Sequence, residues 1–342
     1  MRPTTKDLAN HLGMSRSTVD RVLNGRTGVK DKTVKAVHKA IEELGFERNL
    51  SAANLARKRV YRFAFILPKV GGDFLHELKS QVGLMGVALR LDNTEISIRQ
   101  IIENDQHKNV EHLSRINTDE LDGIAILAPE GPQVRDALAR LSERGVHVVR
   151  LISGQPDEGE HSFVGIDNLA AGRTAARLLG SFAQSKKGSV LVVTDTMLSP
   201  DSVSRRAGFD QTLQHRFSSL RALPTIETYG DKKRTDTILA SALMNFPDLQ
   251  GVYVMSSEAG FALDALSKRD VATGLSIIAH ERTQVTLSHL RTGFVDALIV
   301  QDAGHVVRSA ARKLRAKCDN REPVATQENI RIEVLLLENS VG

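Results

Sequence analysis

The sequence has 342 residues but only one cysteine, Cys318, and no tryptophan. A single cysteine excludes an internal disulfide framework, fits a reducing cytosol and cannot anchor a zinc cluster. No run of roughly 18 or more apolar residues occurs, so we expect no membrane-spanning helix. The start of the chain is polar from its second residue and lacks the apolar core of a secretory signal. These absences predict a cytoplasmic protein.

The common motifs of catalysis and cofactor binding are also missing. We find no G-x-x-x-x-G-K-[ST], G-x-G-x-x-G, G-x-S-x-G or H-E-x-x-H, the motifs of nucleotide binding, of serine hydrolases and of zinc proteases. His107 and His112 have no companion ligand, so we interpret them as solvated helix residues. The sequence therefore predicts no catalytic residue, no metal and no cofactor.

Positive charge is concentrated at the start of the chain. Residues 1–60 contain 13 Lys and Arg against six Asp and Glu, a net charge of +7, whereas the whole chain carries +5 and the remainder therefore −2. This asymmetry indicates a polyanionic partner for the first part of the chain. The other 280 or so residues exceed what one core normally supports, so we expect them to form two lobes.

Three short helices are predicted within the basic segment. Thr4 and Asp7 form a T-x-x-D capping box for the first helix, and Gly13 ends it. Ser15 caps the second helix, and the third extends from about Asp31 to Leu44. The second helix carries a polar and basic face of a size that fits the DNA major groove, where arginine can bind both acceptors of guanine. The alternative is that this charged face is merely solvated.

The pattern T-T-K-D-L-A-x-x-L-G-M-S-R-S-T-V-D-R-V-L-N-G resembles the N-terminal headpiece of the LacI/GalR family of bacterial transcription regulators. The match continues through V-x-x-x-T-V-x-x-V-x-x-A-I-E-E-L-G-F. The resemblance implies a helix-turn-helix that binds double-stranded operator DNA. Asp20 stands where the family most often has serine, and an ion pair with Arg16 four residues earlier would orient that guanidinium. The residues expected to contact DNA in this headpiece are Thr4, Ser15, Arg16, Ser17, Thr18, Arg21 and Asn24.

The resemblance extends over residues 49–56, the hinge segment of the family. This segment is too short to form a stable helix alone. In the family, paired hinge helices form on operator DNA and a leucine enters the minor groove, where apolar wedges kink the duplex. Leu55 stands at that position, with Ala52 beside it. The alternative for Leu55 is docking onto a neighbouring lobe.

From Tyr61 onward, short apolar runs alternate with longer amphipathic segments, which predicts parallel sheets with right-handed helical crossovers. The predicted strands are 64–67, 124–127, 146–152, 190–193, 251–255, 275–279 and 297–300. The predicted helices are 74–88, 104–115, 132–144, 169–182, 202–215, 236–245, 260–268, 282–291 and 302–318.

The larger part resembles periplasmic binding proteins of the ribose type, the usual sensor of the LacI/GalR family. Open α/β sheets bind ligands beyond the carboxyl ends of their strands. Arg205 belongs to the R-x-x-G-F motif, which implies contact with ligand hydroxyls or a carboxylate, and Phe74 is expected in a loop that covers the ligand. The complete set of ligand-binding candidates is Phe74, Ser153, Asp167, Arg205, His280, Glu281 and Gln301.

Several of these candidates have plain structural alternatives. Asp167 could cap the helix that follows it, Arg205 could be a surface arginine, and His280 could be a satisfied interior histidine. Glu281 replaces the aspartate that is common in the family, so its carboxylate has a different reach. Aromatic stacking on a sugar ring must be sparse, because the chain has only three tyrosines and 11 phenylalanines.

Together these features predict a small all-α helix-turn-helix DNA-binding domain followed by a two-lobed α/β, periplasmic-binding-protein-like effector domain. The expected segments are a headpiece at 1–48, a hinge and linker at 49–60, and a sensing and dimerisation domain at 61–342. Lobe 1 covers about 61–166 and 300–322, and lobe 2 about 167–299 and 323–342.

The expected function is a homodimeric repressor of carbohydrate genes that leaves a pseudo-palindromic operator when it binds a sugar, cyclitol or sugar acid. Membrane partners are not expected. Two alternatives remain open at this point. One is a cytosolic enzyme or binding protein that carries the helix-turn-helix as a tether. The other is a co-repressor-dependent regulator that senses a non-sugar metabolite.

Overall fold

A computed structural model describes residues 3–23, 28–44, 46, 59–101, 106–128, 131–153, 162–183, 187–256, 259–270 and 274–340. The chain folds into two compact units, Met1–Arg59 and Val60–Gly342. No helix within the described ranges is both long and apolar enough to cross a membrane.

The first unit packs three helices around a small apolar core. They are α1 (Thr5–Leu12), α2 (Arg16–Leu23) and α3 (Asp31–Leu44). The Thr4–Asp7 capping box and the left-handed Gly13, with φ of 60°, delimit α1 as predicted. The backbone N–H of Thr18 donates to Ser15 Oγ at 3.2 Å, so Ser15 caps α2. The buried residues of this core are Leu8, Ala9, Val19, Val22, Val37, Ala40 and Phe46.

The second unit contains two sheets and the helices that cover them. Its strands are β1 (Tyr61–Pro68), β2 (Thr94–Ile101), β3 (Gly123–Ile126), β4 (His147–Leu151), β5 (Ser162–Val164), β6 (Gly188–Thr194), β7 (Leu220–Ala222), β8 (Ile226–Glu227), β9 (Leu249–Val254), β10 (Ser276–His280), β11 (Ala297–Val300) and β12 (Glu333–Leu335). Its helices are α4 (Asp73–Leu89), α5 (Gln106–Ser114), α6 (Pro132–Glu143), α7 (Asn168–Phe182), α8 (Pro200–Arg216), α9 (Lys232–Asn245), α10 (Ala259–Ser267), α11 (Gln284–Arg291), α12 (Ala303–Cys318) and α13 (Ala325–Glu328).

Sheet 1 has the parallel order β2-β1-β3-β4-β5, and sheet 2 has the order β12-β11-β10-β9-β6-β7, with β8 also paired to β6. The chain passes between the sheets three times. It leaves sheet 1 after β5 and enters sheet 2 through α7 and β6. After β11 it returns as α12, which packs on β3, β4 and α4. It then ends as β12 on the edge of sheet 2.

The largest apolar core joins the two sheets. It contains Phe65 of β1 and Leu151 of β4 together with Ile278 of β10 and Ile299 of β11, all fully buried. Two further cores lie within the individual sheets, one of them centred on sheet 2 and the other on sheet 1. Each sheet is therefore covered on both faces, as parallel sheets require.

All seven predicted strands and all nine predicted helices of this unit are confirmed, with ends that shift by a few residues. The sequence analysis missed β2, β5, β7, β8 and β12. β2 is an edge strand that is largely exposed between its two buried end residues and has no continuous apolar run. The other four have only two or three residues, too few for a periodic pattern. The expectation of purely parallel sheets is wrong at one edge, where β12 runs antiparallel to β11.

A buried charge cluster and the exposed face of α2

Two glycines allow α7 and α8 to approach each other closely. A Cβ atom added to Gly172 would lie 1.9 Å from the Arg205 carbonyl oxygen, and one added to Gly208 would lie 2.0 Å from the Leu169 carbonyl oxygen. The Phe209 ring stacks on Tyr253 of β9 with centroids 4.7 Å apart. The glycine and phenylalanine of the R-x-x-G-F motif thus fix α8 against α7 and sheet 2, and this packing determines where Arg205 points.

The Arg205 side chain is 2% exposed, and each of its three nitrogen atoms has a polar partner. Its Nε donates to Asn168 Oδ1 at 2.8 Å, and its Nη1 donates to the Met255 carbonyl oxygen at 2.7 Å. Its Nη2 lies 3.3 Å from Glu281 Oε1 and forms a buried ion pair. The interpretation of Arg205 as a surface arginine is therefore wrong.

Glu281 is 1% exposed and sits between cationic and amide donors. The Gln301 backbone N–H donates to Glu281 Oε2 at 3.3 Å, and Gln301 Nε2 donates to Oε1 at 3.1 Å. Burial alone would raise the pKa of Glu281. The neighbouring His280 imidazole, the Arg205 charge and the Gln301 amide together lower that pKa below its ordinary value. Glu281 is thus an ionised hydrogen-bond acceptor at neutral pH.

His280 is completely buried beside this ion pair. Burial and the Arg205 charge lower the pKa of His280 to about 4, so its imidazole is neutral at neutral pH. Its Nε2 lies 2.9 Å from the Tyr253 hydroxyl. Within the described part of the chain, His280 Nδ1 and Gln301 Oε1 are buried without a hydrogen-bond partner. Buried polar atoms of this kind normally have a partner, so the cluster retains capacity to bind a further polar group.

The cluster lies at the carboxyl edge of sheet 2. Met255 follows β9, Glu281 follows β10 and Gln301 follows β11, so three adjacent strands deliver their ends to one place. We call Arg205, His280, Glu281 and Gln301 the charge cluster. It presents guanidinium and amide donors beside carboxylate and imidazole acceptors, a combination that suits hydroxyl groups, which both donate and accept.

The other predicted ligand residues are not in the charge cluster. Asp167 is exposed and caps α7, accepting a hydrogen bond from the Ala170 backbone N–H at 3.0 Å. Ser153 follows β4 and lies 3.5 Å from Asp201 of α8, oxygen to oxygen. Phe74 was expected in a covering loop, and that expectation is wrong. It lies in the first turn of α4, and its side chain is buried in the core because the helix begins directly after the loop.

Sequence reasoning missed two residues that complete this edge. Asn168 bridges the sheets, because its Oδ1 accepts from Arg205 and its Nδ2 donates to the Ile152 carbonyl oxygen at 3.3 Å. Asp195 follows β6, and its Oδ1 accepts from the hydroxyls of Thr228 and Ser256 at 3.2 Å each. Asn168 adjoins Asp167 in a segment that the sequence had already singled out. Nothing in the sequence distinguishes Asp195 from an ordinary loop aspartate.

In the first unit, α2 exposes Ser15, Arg16, Ser17 and Arg21 and half-buries Thr18. The Ser15 hydroxyl lies 2.9 Å from both the Ser17 and the Thr18 hydroxyls. Thr4 is exposed, and its hydroxyl is hydrogen-bonded to Asp7 at 2.6 Å. The predicted contacts Asn24, Ala52 and Leu55 lie outside the described residues. The roles of all these residues on DNA stay predictions.

Over the ranges that the structure describes, no three His, Cys, Asp or Glu side chains converge as ligands for a metal ion. Comparison with protein families gives two matches. Residues 63–322 match the periplasmic binding protein domain. Residues 4–49 match the bacterial regulatory proteins of the lacI family.

Individual relatives agree with both matches. The HTH-type transcriptional regulator CelR of Thermobifida fusca is 26% identical over 295 residues, which are 83% of each chain. The sucrose operon repressor of Lactococcus lactis is 27% identical over 60% of each chain. The glucose-galactose binding protein GanP of Geobacillus stearothermophilus has the same fold, with a TM-score of 0.72 at 16% identity over 82% of this chain and 99% of its own. The chain therefore belongs to the lacI family of bacterial regulatory proteins and is a ligand-responsive, DNA-binding transcriptional regulator whose larger part is a periplasmic binding protein domain.

Proposed function

We propose that this regulator represses genes of carbohydrate uptake or catabolism from a pseudo-palindromic operator in the cytoplasm. A sugar, cyclitol or sugar acid releases it from the DNA. The sucrose operon repressor and the glucose-galactose binding protein are named for sugars, which supports this class of effector. The observation that carries the proposal is the charge cluster, in which buried donors and acceptors meet at the carboxyl edge of a sheet.

The proposed effector site uses Arg205, Glu281 and Gln301 to hold hydroxyl groups. The guanidinium donates to a hydroxyl oxygen while the Glu281 carboxylate accepts the hydroxyl proton, so one ligand group satisfies both partners. The unbonded His280 Nδ1 and Gln301 Oε1 support this role, because each can exchange a hydrogen bond with a polyol. Asn168 links Arg205 to the end of β4, so a ligand at the cluster also acts on sheet 1. We propose that sheet 1 and sheet 2 form the lobes whose approximate boundaries the sequence predicts.

The proposed DNA-reading surface is the exposed face of α2. Arg16 and Arg21 are the base-reading residues, and Ser15, Thr18 and Asn24 hold phosphates without sequence preference. The net charge of +7 over residues 1–60 supports a polyanionic partner for this unit. We propose that Ala52 and Leu55 complete the interface in the minor groove.

A homodimer is proposed because one headpiece reads too few base pairs for specificity in a genome. The larger unit offers a surface for a second copy. Leu84 and Val87 are 63% and 67% exposed on one face of α4, and Leu91, which follows that helix, is 92% exposed. Ile98 is 41% exposed on β2, the edge strand of sheet 1. We call these four residues the apolar stripe. Apolar patches beside an open sheet edge are typical of association sites.

Selection of bound sequences from random duplex DNA tests the proposal and separates its parts. The wild-type protein should enrich a two-fold symmetric sequence. Arg16→Ala and Arg21→Ala should relax base preference at defined positions, by about 1 to 3 kcal/mol for a bidentate contact. Lys39→Ala removes an equally exposed charge from α3 and serves as the control. Enrichment of no symmetric sequence, or an equal loss of affinity for every sequence in both arginine variants, would show that the roles are wrongly assigned.

A further inference from the structure

Helix α12 connects the charge cluster to Tyr61, the first residue of β1. It begins directly after Gln301 and Asp302, and Asp302 Oδ1 caps it by accepting from the His305 backbone N–H at 2.9 Å. With 16 residues, α12 is about 24 Å long. Its C-terminal end lies beside Tyr61, where β1 starts. One rigid element therefore spans the distance between a proposed ligand site and the point at which the linker joins the sensor.

At its first end, the helix follows a residue that contacts the ion pair. Gln301 donates both its backbone N–H and its side-chain Nε2 to the Glu281 carboxylate. A ligand that changes the partners of that carboxylate must change the position or the bonding of Gln301. Because Gln301 immediately precedes the cap of α12, such a change acts on the start of the helix.

One face of the helix is packed into the core. Val306, Val307 and Ala310 are fully buried in the core that joins the two sheets. Near the other end, a Cβ atom added to Gly123 of β3 would lie 2.8 Å from Leu314 Cδ2. Close-packed elements of this kind move as units and cannot deform locally at low cost. A shift at one end of α12 is thus expected at the other end as well.

The second end of the helix holds Tyr61 by two contacts. The Tyr61 hydroxyl donates to Asp319 Oδ1 at 2.5 Å, and both side chains are buried. The Arg315 guanidinium lies 4.7 Å from the centroid of the Tyr61 ring. The same guanidinium donates from Nη1 to the Asp92 carbonyl oxygen at 3.2 Å. Tyr61 lies two residues after Arg59, the last residue of the first unit.

We infer that Tyr61 and Asp319 are positioning residues of the regulatory response. A change in the hydrogen bonds of Glu281 shifts α12, and the contact between Tyr61 and Asp319 transmits this shift to the linker. The inference rests on the proposed function, in which the charge cluster binds the effector. The inference adds the path by which a change at the charge cluster affects the DNA-binding unit. Contiguity alone does not establish coupling, so the test is a double-mutant cycle between the two ends of the helix.

Hydrogen exchange of the full-length protein bound to the duplex selected above, read by mass spectrometry over peptides that cover residues 47–60, provides the measurement. The substitution Glu281→Gln changes the hydrogen bonds of the charge cluster, so no ligand is needed to perturb it. We expect it to raise the exchange rate of this segment by about fivefold or more, the lower end of usual allosteric coupling. In a Tyr61→Phe background, the same substitution should leave the rate of this segment unchanged, since the link to Asp319 is absent.

Two controls separate positioning from general destabilisation. Tyr229→Phe removes an exposed hydroxyl elsewhere in the same unit and should preserve the response to Glu281→Gln. Asp319→Asn keeps an oxygen that can accept a hydrogen bond from the Tyr61 hydroxyl, so this variant should retain most of the exchange response to Glu281→Gln. Asp319→Ala lacks that oxygen and should lose the response. A merely structural role for Tyr61 would not produce this rescue.

The inference is overturned if Glu281→Gln changes exchange around β10 and β11 but not over residues 47–60, or if its effect is the same with and without the Tyr61 hydroxyl. Should Glu281→Gln prevent folding, Gln301→Met removes the side-chain amide, keeps the backbone donor to Glu281 and gives the same two readings. The measurement uses no ligand, so it does not depend on effector binding at the charge cluster. Failure here with normal operator release would remove the route through α12 and leave the proposed function standing.

Discussion

Gly172 of α7 and Arg205 of α8 are in direct backbone contact, with room for a hydrogen atom but not for a methyl group between them. We therefore expect Gly172→Ala to force the two helices apart. Overpacking of this kind costs about 1 to 3 kcal/mol, and it should lower the free energy of unfolding and displace the Arg205 guanidinium. Urea denaturation measures the first effect. Gly260→Ala in α10 is the control, since its Cβ would meet Val285 at an ordinary 3.4 Å. Equal stability of the two variants would contradict the close approach.

Removing the charge of Glu281 should be costly, because it leaves Arg205 buried beside a neutral amide. Breaking a buried ion pair from one side costs about 3 to 5 kcal/mol, so Glu281→Gln should lower the free energy of unfolding by roughly that amount. Glu111→Gln breaks an exposed ion pair with Arg115 and should cost less than about 1 kcal/mol. If denaturation shows similar losses for the two variants, the Glu281 pair is not buried as described.

His280 predicts a pH dependence of stability with a defined sign. Its pKa is about 4 in the folded protein against an ordinary value of 6.5, so the unfolded chain binds this proton first as pH falls. The contribution of His280 to the free energy of unfolding should therefore be fully present above about pH 6.5 and should decline as the pH falls from there towards 4. The loss is on the order of 3 kcal/mol. Thermal unfolding across this range measures it. His280→Gln should flatten the decline, whereas His215→Gln, at an exposed position of α8, should retain it. A decline that is unchanged in His280→Gln would assign it to other groups.

The apolar stripe predicts a variant that dissociates without unfolding. Leu84→Asp combined with Val87→Lys places opposite charges on the exposed face of α4 and adds no net charge. We expect sedimentation velocity to show a dimer for the wild-type protein and a monomer for this variant, with unchanged far-UV circular dichroism. Met244→Asp changes an apolar residue that is 77% exposed on α9 and should leave the dimer intact. A wild-type monomer that binds a full operator tightly would contradict the homodimer.

The sequence predicted most elements of the fold because buried parallel strands and amphipathic helices leave strong periodic signals. Capping signals were equally informative, as Thr4, Ser15 and Gly13 show. The five missed strands are short or lie at edges, where burial on one face or over two residues leaves no pattern. The direction of β12 was not predictable either, since it depends on a third passage of the chain between the sheets.

The sequence indicated which residues come together where a motif or a strand end fixed their position, and not where packing decided it. Arg205, Glu281 and Gln301 follow from the R-x-x-G-F motif and from strand ends, and the structure brings them together. Phe74 follows a strand too, but it lies in the first turn of α4 and its side chain is buried in the core. Asn168 lies 37 residues before Arg205 in the sequence. Tyr61 lies 258 residues before Asp319. Only three-dimensional packing could reveal contacts over such separations.

The most direct test of the whole account measures two affinities for two variants with opposite expected behaviour. Fluorescence anisotropy of labelled operator DNA gives the operator affinity and its loss on addition of the monosaccharide that releases the wild-type protein. Isothermal titration calorimetry of the free protein gives the affinity for the sugar. Arg205→Ala should still bind the operator and lose its release by the sugar. Leu55→Ala should bind operator weakly and still bind the sugar. An Arg205→Ala protein that the sugar releases at wild-type concentrations would contradict the account, since the charge cluster would then not be the effector site.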